Sequence, residues 1–265
     1  MQSTDDFPWQ SAAQRLNQHC LCVNLDQSAI VRDLARQLND DTGEILSSTA
    51  WQQFFSNAAV FVPGHDLAHM QAIVQALETA AALPEYQRQV LSRAPRNAQF
   101  NPGPAGALMG YDFHLGKEGP RLIEVNTNAG GAFLNAVLAR AQLQCCGGAA
   151  NVAWAGDFEA AVIAQFESEW RAQRGSGRPE TIAIVDEQPA EQYLYPEFRL
   201  AQQLFQNNGI DALILSPSDL RYESGTLYSG DRRIDLVYNR LVDFGLEAPE
   251  HAALRLAWLE GGAVI

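Results

Sequence analysis

The stretch that decides the fold class is TIAIVDEQPAEQYLYPEFRLAQQLFQNNGIDALILSP, residues 181–217. It begins with a short apolar run that is typical of a buried strand, residues 181–187, and it ends with a second such run, residues 210–217. Between them, residues 196–209 have the apolar spacing of a helix, and Gly209 is placed to be its C-cap. A strand, a helix and a strand in this order predict a β-α-β unit and therefore a parallel sheet.

Regular structure is also predicted on both sides of this unit. Downstream, GTLYSGDRRI resembles a small hairpin and IDLVYNRL a third core strand. A helix at 249–262 follows, and AVI at 263–265 begins what we expect to be another strand. Upstream, the periodicity predicts helices at 26–40, 49–62, 64–83, 84–95, 132–143 and 156–175, and a hairpin formed by strands at 108–116 and 120–126.

The length and composition indicate a globular α/β protein. A chain of 265 residues suits one large domain or two small ones, and a hydrophobic fraction of 47% is enough for a full core. We predict a helix-rich part that includes the hairpin at 1–175, a linker at 176–180 and an α/β part at 181–265. Because the last predicted strand has only three residues, we expect the chain to be a fragment whose C-terminal half lies beyond it.

Charge and hydropathy exclude several classes of function. The net charge is −13, from 18 basic and 31 acidic residues, which argues against non-specific binding to nucleic acid or to anionic membranes. No apolar run reaches the length of about 18 residues that a membrane span needs. The N-terminus MQSTDDFPWQ lacks the features of a signal peptide, so we expect a cytoplasmic protein.

The four cysteines form two close pairs, Cys20 with Cys22 and Cys145 with Cys146. Neither pair has the C-x-x-C spacing of a zinc or redox motif. In a reducing compartment they are most simply free thiols, although a metal site built from all four is an alternative.

The hairpin's second strand leads into the strongest candidate site, in GPRLIEVNTNAGG at 119–131. Side chains alternate along a strand, so Glu124 and Asn126 point the same way, and Ile123 and Val125 are expected to face the core. Two oxygen ligands on one face suit a hard cation such as Mg²⁺. The glycine pair that follows lets backbone amides approach an anion at the start of the next helix.

A purely structural interpretation of this segment is also open. Thr127 or Asn128 could cap the next helix, with Glu124 as an ordinary loop acid.

Arg240 has two interpretations as well. At a strand exit it could hold a carboxylate with two hydrogen bonds, or it could be a surface arginine paired with Asp243.

Three weaker candidates remain. The segment VDEQPAEQYLYPEF at 185–198 carries acids, amides and tyrosines at a strand exit, and it could equally be a structural loop. His65 and His69 have the i, i+4 spacing of a metal pair, but no third ligand is evident. Asp112 and His114 share one face of a strand, which points either to the site or to solvent.

Taken together, YDFHLGKEGPRLIEVNTNAGGAFLNAVL, TIAIVDEQPAEQYLYPEF and IDLVYNRLVDF resemble the eukaryotic-type glutathione synthetases. These enzymes are circularly permuted members of the ATP-grasp superfamily, and the resemblance covers residues 105–262. It implies a helical N-terminal part with an ATP-grasp hairpin and sheet region, followed by a parallel β-α-β substrate-binding domain of the pre-ATP-grasp kind. It also implies that the lysines, the glycine-rich lid and the last metal-binding acid of the nucleotide half lie beyond residue 265.

The resemblance implies roles for particular residues. Glu124 and Asn126 fall on the family's Mg²⁺ ligands. The other matched positions would bind substrate: Thr127, Asn128, Ala129, Gly130, Gly131 and Arg240, with Gln192 and Glu197 near substrate-contacting amides. The chain also departs from the family, because Asn128 and Ala129 replace a serine-containing segment. A family arginine falls near Leu108, and the aromatic after V-Y-x-R appears as Asp243 or Phe244.

The function implied is that of a carboxylate–amine ligase that uses ATP and Mg²⁺. A substrate carboxylate attacks the γ-phosphate of ATP, and an amine then attacks the acyl phosphate, so the protein mainly positions groups and neutralises charge. The expected partners are ATP and a small carboxylate, either an amino acid or a short peptide, and a homodimer is one assembly that we consider. The chain could instead be the substrate-side part of such a ligase or a non-catalytic binding module for small molecules or peptides. A third, weaker hypothesis is a thiol-based metal or redox protein.

Overall fold

The computed structural model describes residues 60–145 and 158–265, together with positions 13, 15, 17, 34, 35 and 38. The described residues form two compact units built from interleaved segments. One contains residues 60–81, 111–125 and 137–145, and the other contains residues 82–110, 126–136 and 158–265. Most of the helices predicted at 26–40 and 49–62 lies outside the described residues, as do Cys20, Cys22 and Cys146.

The first unit contains helix α1, Gly64–Ala81, and most of a hairpin formed by β1, Gly110–Gly116, and β2, Gly119–Asn126. The helix and the hairpin were predicted from the sequence, and the structure confirms both. The prediction that Ile123 and Val125 face a core is wrong, because they are 67% and 39% exposed. Sequence alternation shows that a strand has two faces, but it does not show which face is covered.

The second unit holds most of the regular structure. Its helices are α2, Pro84–Leu91; the start of α3, Ala132–Cys145; α4, Phe158–Arg174; α5, Tyr195–Asn207; and α6, Ala252–Glu260. Its strands are β3, Thr181–Val185; β4, Asp211–Leu215; β5, Arg221–Glu223; β6, Thr226–Ser229; β7, Arg232–Ile234; and β8, Leu236–Asn239. The protein is therefore of mixed α/β class, as the sequence predicted.

A parallel sheet with strand order β4-β3-β8 forms the centre of this unit. The predicted β-α-β unit is confirmed, since β3 and β4 are parallel and α5 lies between them in the chain. The helix ends at Asn207 and its C-cap is Asn208, so the prediction of Gly209 as the C-cap is wrong by one residue. Gly209 follows with a φ of +73°, the left-handed conformation that favours glycine just past a helix end. Val264 continues the sheet through a parallel bridge to Leu236, as expected for a further strand.

Both faces of the parallel sheet are covered within the second unit. On one face Tyr238 packs edge-on against Phe166 of α4, which in turn contacts Phe205 of α5. On the other face Val185 and Val237 join an apolar cluster with residues of α6 and of β6 and β7. Burial on two sides explains why β3 is a continuous apolar run, with residues 182–185 fully buried.

A second, antiparallel sheet in the same unit has the order β5-β6-β7. Its β6-β7 hairpin was predicted, whereas the three-residue strand β5 was not. No helix in the described part of the chain is both long and apolar enough to cross a membrane.

Candidate functional site

Arg240 lies directly after β8, at the edge of the parallel sheet where the strands end. Its backbone amide donates to the Val185 carbonyl at 2.8 Å, which extends the sheet by one residue. The side chain is 8% exposed, and its Nη1 donates to the carbonyl oxygens of Asn128 at 3.3 Å and Ala129 at 2.9 Å. Nη1 also donates to Asn128 Oδ1. The alternative of a surface arginine paired with Asp243 is therefore wrong.

The other edge of the guanidinium carries Nε and Nη2, and Nη2 lies beside Gly130. Nε is buried without a hydrogen-bond partner. The hydroxyl of Tyr238 is likewise buried and unpartnered, and its ring centroid lies 5.4 Å from the Arg240 Cζ. Burial raises the pKa of Tyr238 to about 12, although the charge of Arg240 and a weak hydrogen-bonding interaction with its guanidinium act in the opposite direction. Two buried polar groups without partners at one sheet edge are a reason to look for a ligand.

The glycine pair allows the 128–131 loop to approach Arg240 closely. A Cβ atom on Gly130 would lie 2.7 Å from Leu194 Cδ1 and 3.0 Å from Arg240 Nη2. Gly131 has a φ of +84°, which strains any residue with a side chain. Asn128 fixes the loop from the other direction, because its Nδ2 donates to the Leu241 carbonyl at 3.2 Å.

Glu197 holds the end of the same loop. It is 1% exposed, and its carboxylate oxygens accept hydrogen bonds from the backbone amides of Phe133 at 3.1 Å and Leu134 at 2.9 Å. These amides belong to the first turn of α3, so Glu197 rather than Thr127 or Asn128 caps this helix. Burial raises the pKa of Glu197, while the amide hydrogen bonds oppose that shift.

Two further residues of the β3 exit lie near this site. Burial raises the pKa of Asp186, while its hydrogen bond from the Glu187 amide, at 2.8 Å, and the charge of Arg240 oppose the rise. Gln192 donates through Nε2 to the Glu187 carbonyl at 2.6 Å. The amide of Gln192 therefore fixes the fold of the β3 exit loop, and its predicted contact with substrate stays a prediction.

A buried histidine that the sequence did not single out connects the two strand exits. His251 is 3% exposed; its Nε2 lies 2.6 Å from Glu187 Oε1 and its Nδ1 lies 2.7 Å from Asp243 Oδ2. Because both ring nitrogens face carboxylate oxygens, both contacts are hydrogen bonds only when the ring is protonated. Burial lowers the pKa of His251, but the hydrogen bonds to the two carboxylates outweigh it and the net shift is upward. The pKa of Asp243 is lowered, chiefly by the Ala248 amide and also by His251.

The predicted metal ligands lie on β2. Glu124 is exposed and Asn126 is half-buried, and strand alternation points both to the same side. They offer two oxygen ligands, which fits Mg²⁺ because this ion keeps several waters and phosphate oxygens. In residues 60–145 and 158–265, no group of three or more His, Cys, Asp or Glu side chains is arranged to hold a metal ion.

The weaker candidates are not brought together with Arg240. The side chain of His65 is 77% exposed, with its Nε2 3.4 Å from Asp66 Oδ1. Asp112 and His114 are exposed on β1. Cys145 ends α3, and its side chain lies outside the described residues.

The comparisons with known proteins add no relative. The sequence matches no protein-family model, and no curated protein matches it.

Proposed function

We propose that this chain contains the carboxylate-binding site of an ATP- and Mg²⁺-dependent carboxylate–amine ligase of the glutathione synthetase-like, ATP-grasp kind. The observation that carries the proposal is the arrangement of Arg240. Its Nη1 is fixed by the carbonyls of the 128–129 segment, and its Nε is buried without a well-aligned hydrogen-bond partner among the described residues. A guanidinium edge with two parallel N–H groups matches the two oxygens of a carboxylate.

The surroundings of Arg240 support a preformed site. The 128–131 loop is held at its start by Asn128 and at its end by Glu197, so little ordering would be needed on binding. The charge of Arg240 acts on both Asp186 and Glu197, yet neither carboxylate forms an ion pair with the guanidinium within 4.0 Å among the described residues. A substrate carboxylate bound at Nε would supply the partner that this buried group lacks.

The ligase chemistry in this proposal comes from the resemblance of the sequence stretches. Glu124 and Asn126 would hold Mg²⁺, which when bound offsets negative charge on the phosphates of ATP. Thr127, Asn128, Ala129, Gly130, Gly131 and Arg240 would position the substrate carboxylate for attack. Gln192 and Glu197 would support the site from the β3 exit and from α5. A cytoplasmic location and a homodimer remain part of the proposal.

A non-catalytic binding module is the second candidate, because the Arg240 site needs no nucleotide in order to hold a carboxylate.

The carboxylate site that both candidates share can be tested directly. Isothermal titration calorimetry measures the binding of 4-methylpentanoate, a simple carboxylate, to the purified protein. We expect Arg240→Lys to weaken binding about tenfold or more, since lysine keeps the charge but loses the bidentate edge. Arg171→Gln is the matched control, because Arg171 pairs with Glu167 on the surface of α4.

The two candidates differ in turnover. With Mg²⁺, ATP and a panel of amino acids and γ-glutamyl dipeptides, the complete protein, including the nucleotide half expected beyond residue 265, releases ADP if it is a ligase. Glu124→Gln in that complete protein should abolish the release while the fold is kept. Carboxylate binding that depends on Arg240 without any ADP release would favour the binding module. Equal binding by the wild type, Arg240→Lys and Arg171→Gln would refute both.

A further inference from the structure

A cavity of about 190 Å³ opens in the second unit, beside the loop that Arg240 holds. Its walls come from α4, from β8 and from the segments around Gly106 and Asn128. This volume is smaller than that of sites for drug-sized ligands, which begin at about 300 Å³, and it suits a molecule of amino-acid size.

Glu169 of α4 is the only charged residue on the described walls of this cavity. It is 7% exposed, and its oxygens accept hydrogen bonds from Gln165 Nε2 at 2.6 Å and from the Gly106 amide at 2.9 Å. Both donors are neutral, and no basic side chain in the described part of the chain lies within 4.0 Å of this carboxylate. The carboxylate therefore accepts from two neutral donors and has no counter-charge beside it in the described part of the chain.

The remaining walls also favour a cation. Phe166, Tyr238 and Phe244 present aromatic rings, whose faces attract ammonium groups. Asn128 and Asn239 add amide groups, and Glu169 keeps two lone-pair directions, because only two of about four are used by the protein. An ammonium group has three hydrogen-bond donors and one positive charge. It would supply the donors and the counter-charge that Glu169 lacks.

We propose that this cavity binds the primary ammonium group of a small ligand and that Glu169 is its counter-charge. The proposed ammonium site is inferred only from the residues that line the cavity. Its combination with Arg240 rests on the proposed function, because that function places a carboxylate on the guanidinium. Asn128 bonds to Arg240 and also lines the cavity. The ligand class that the cavity itself indicates is a small primary amine, and a zwitterion follows only together with the proposed function.

Three related probes separate the two charges. Leucine carries both groups, 4-methylpentanoate is leucine without the amine, and isopentylamine is leucine without the carboxylate. Calorimetry or saturation-transfer NMR measures their binding to the wild type and to Glu169→Gln, which keeps the shape of the side chain and removes its charge. We expect Glu169→Gln to weaken the binding of isopentylamine and leucine about tenfold or more and to leave the binding of 4-methylpentanoate unchanged.

Glu167→Gln is the matched control, because Glu167 lies on the same helix, pairs with Arg171 at 3.2 Å and does not line the cavity. It removes the same charge from the protein, so it corrects for non-specific attraction of amines to an acidic chain. If Glu169→Gln folds poorly, Glu169→Asp is the second variant. It keeps the charge but shortens the side chain by one methylene, so it should weaken the binding of the amines to an intermediate degree.

The measurements distinguish a failure of the ammonium site from a failure of the carboxylate site. Isopentylamine that binds equally to Glu169→Gln and Glu167→Gln, or that fails to bind the wild type, overturns the ammonium site. Binding of 4-methylpentanoate that is unaffected by Arg240→Lys overturns the carboxylate site instead.

Discussion

Replacement of His251 by leucine is the sharpest test of how the strand exits are held. Leucine has a similar volume, so the change removes the hydrogen bonds to Glu187 and Asp243 without opening a large cavity. His251 is 3% exposed, whereas the two acid side chains are 49% and 28% exposed. Water can therefore solvate the acids in the variant, and the main loss is that of the two charged contacts.

The expected change in the free energy of unfolding follows from these two contacts. A hydrogen bond between charged groups contributes about 1.5–3 kcal/mol, and two of them would give about 3–6 kcal/mol if both acids were fully buried. Because both acids are partly solvated, we discount this sum to about 2–3 kcal/mol. We expect His251→Leu to lower the free energy of unfolding by that amount near pH 6.

The effect should depend on pH in a defined direction. The folded-state pKa of His251 lies above its unfolded value of about 6.5. Its contribution is therefore fully present below about pH 6.5, and it is lost as the pH rises through the folded-state pKa. In that interval the wild type should lose up to about 1.4 kcal/mol of stability per pH unit relative to the variant. On the acid side, the lowered pKa of Asp243 means that its contribution is lost as the pH falls through its folded-state value.

Urea denaturation followed by circular dichroism, between about pH 5.5 and 8.5, measures this difference. The matched control is His65→Leu, because the side chain of His65 is 77% exposed and should contribute little at any pH. Hydrogen exchange of the 236–251 segment localises the change. A stability difference between wild type and His251→Leu that stays constant over this pH range would refute the reasoning.

Two further predictions concern the 128–134 segment. Gly130→Ala should weaken 4-methylpentanoate binding about tenfold, because its Cβ would lie 3.0 Å from Arg240 Nη2; Gly64→Ala, with no atom within 4 Å of the added Cβ, should leave calorimetric titrations unchanged. Glu197→Gln should lower the free energy of unfolding in urea by about 2 kcal/mol, because a charged helix cap becomes a neutral one. The exposed Glu191→Gln is its control, and equal stabilities would contradict the capping role.

The parts of the fold that the sequence predicted are those specified by local signals. The β-α-β unit has two apolar runs and a glycine at the helix end, all within 181–217, and each signal acts over a few residues. The strand β5 has only three residues, which is too short for a periodic pattern. The exposure of Ile123 and Val125 was missed because their alternation is the same whichever side is covered.

The site was predicted less completely because its contacts join distant parts of the chain. Arg240 was singled out by its position after a strand, but its partners lie 111 and 112 residues away, so Asp243 was considered instead. Glu197 caps a helix that begins more than 60 residues earlier, as the separation of 64 residues from Phe133 shows. His251 and Glu169 have no sequence motif, and only their burial in the fold distinguishes them from surface residues.

The segment from Asn128 to Leu134 is fixed through its backbone by two opposite charges. Arg240 takes the carbonyl oxygens at its start, and Glu197 takes the amide nitrogens at its end. Gly130 and Gly131 lie between these contacts, where the chain must pass close to the guanidinium and adopt a positive φ. A side chain at Gly130 would clash with Leu194 and crowd the guanidinium, and one at Gly131 would strain the backbone. The guanidinium of Arg240 is therefore oriented before a ligand arrives, and a carboxylate that binds there need not order the loop.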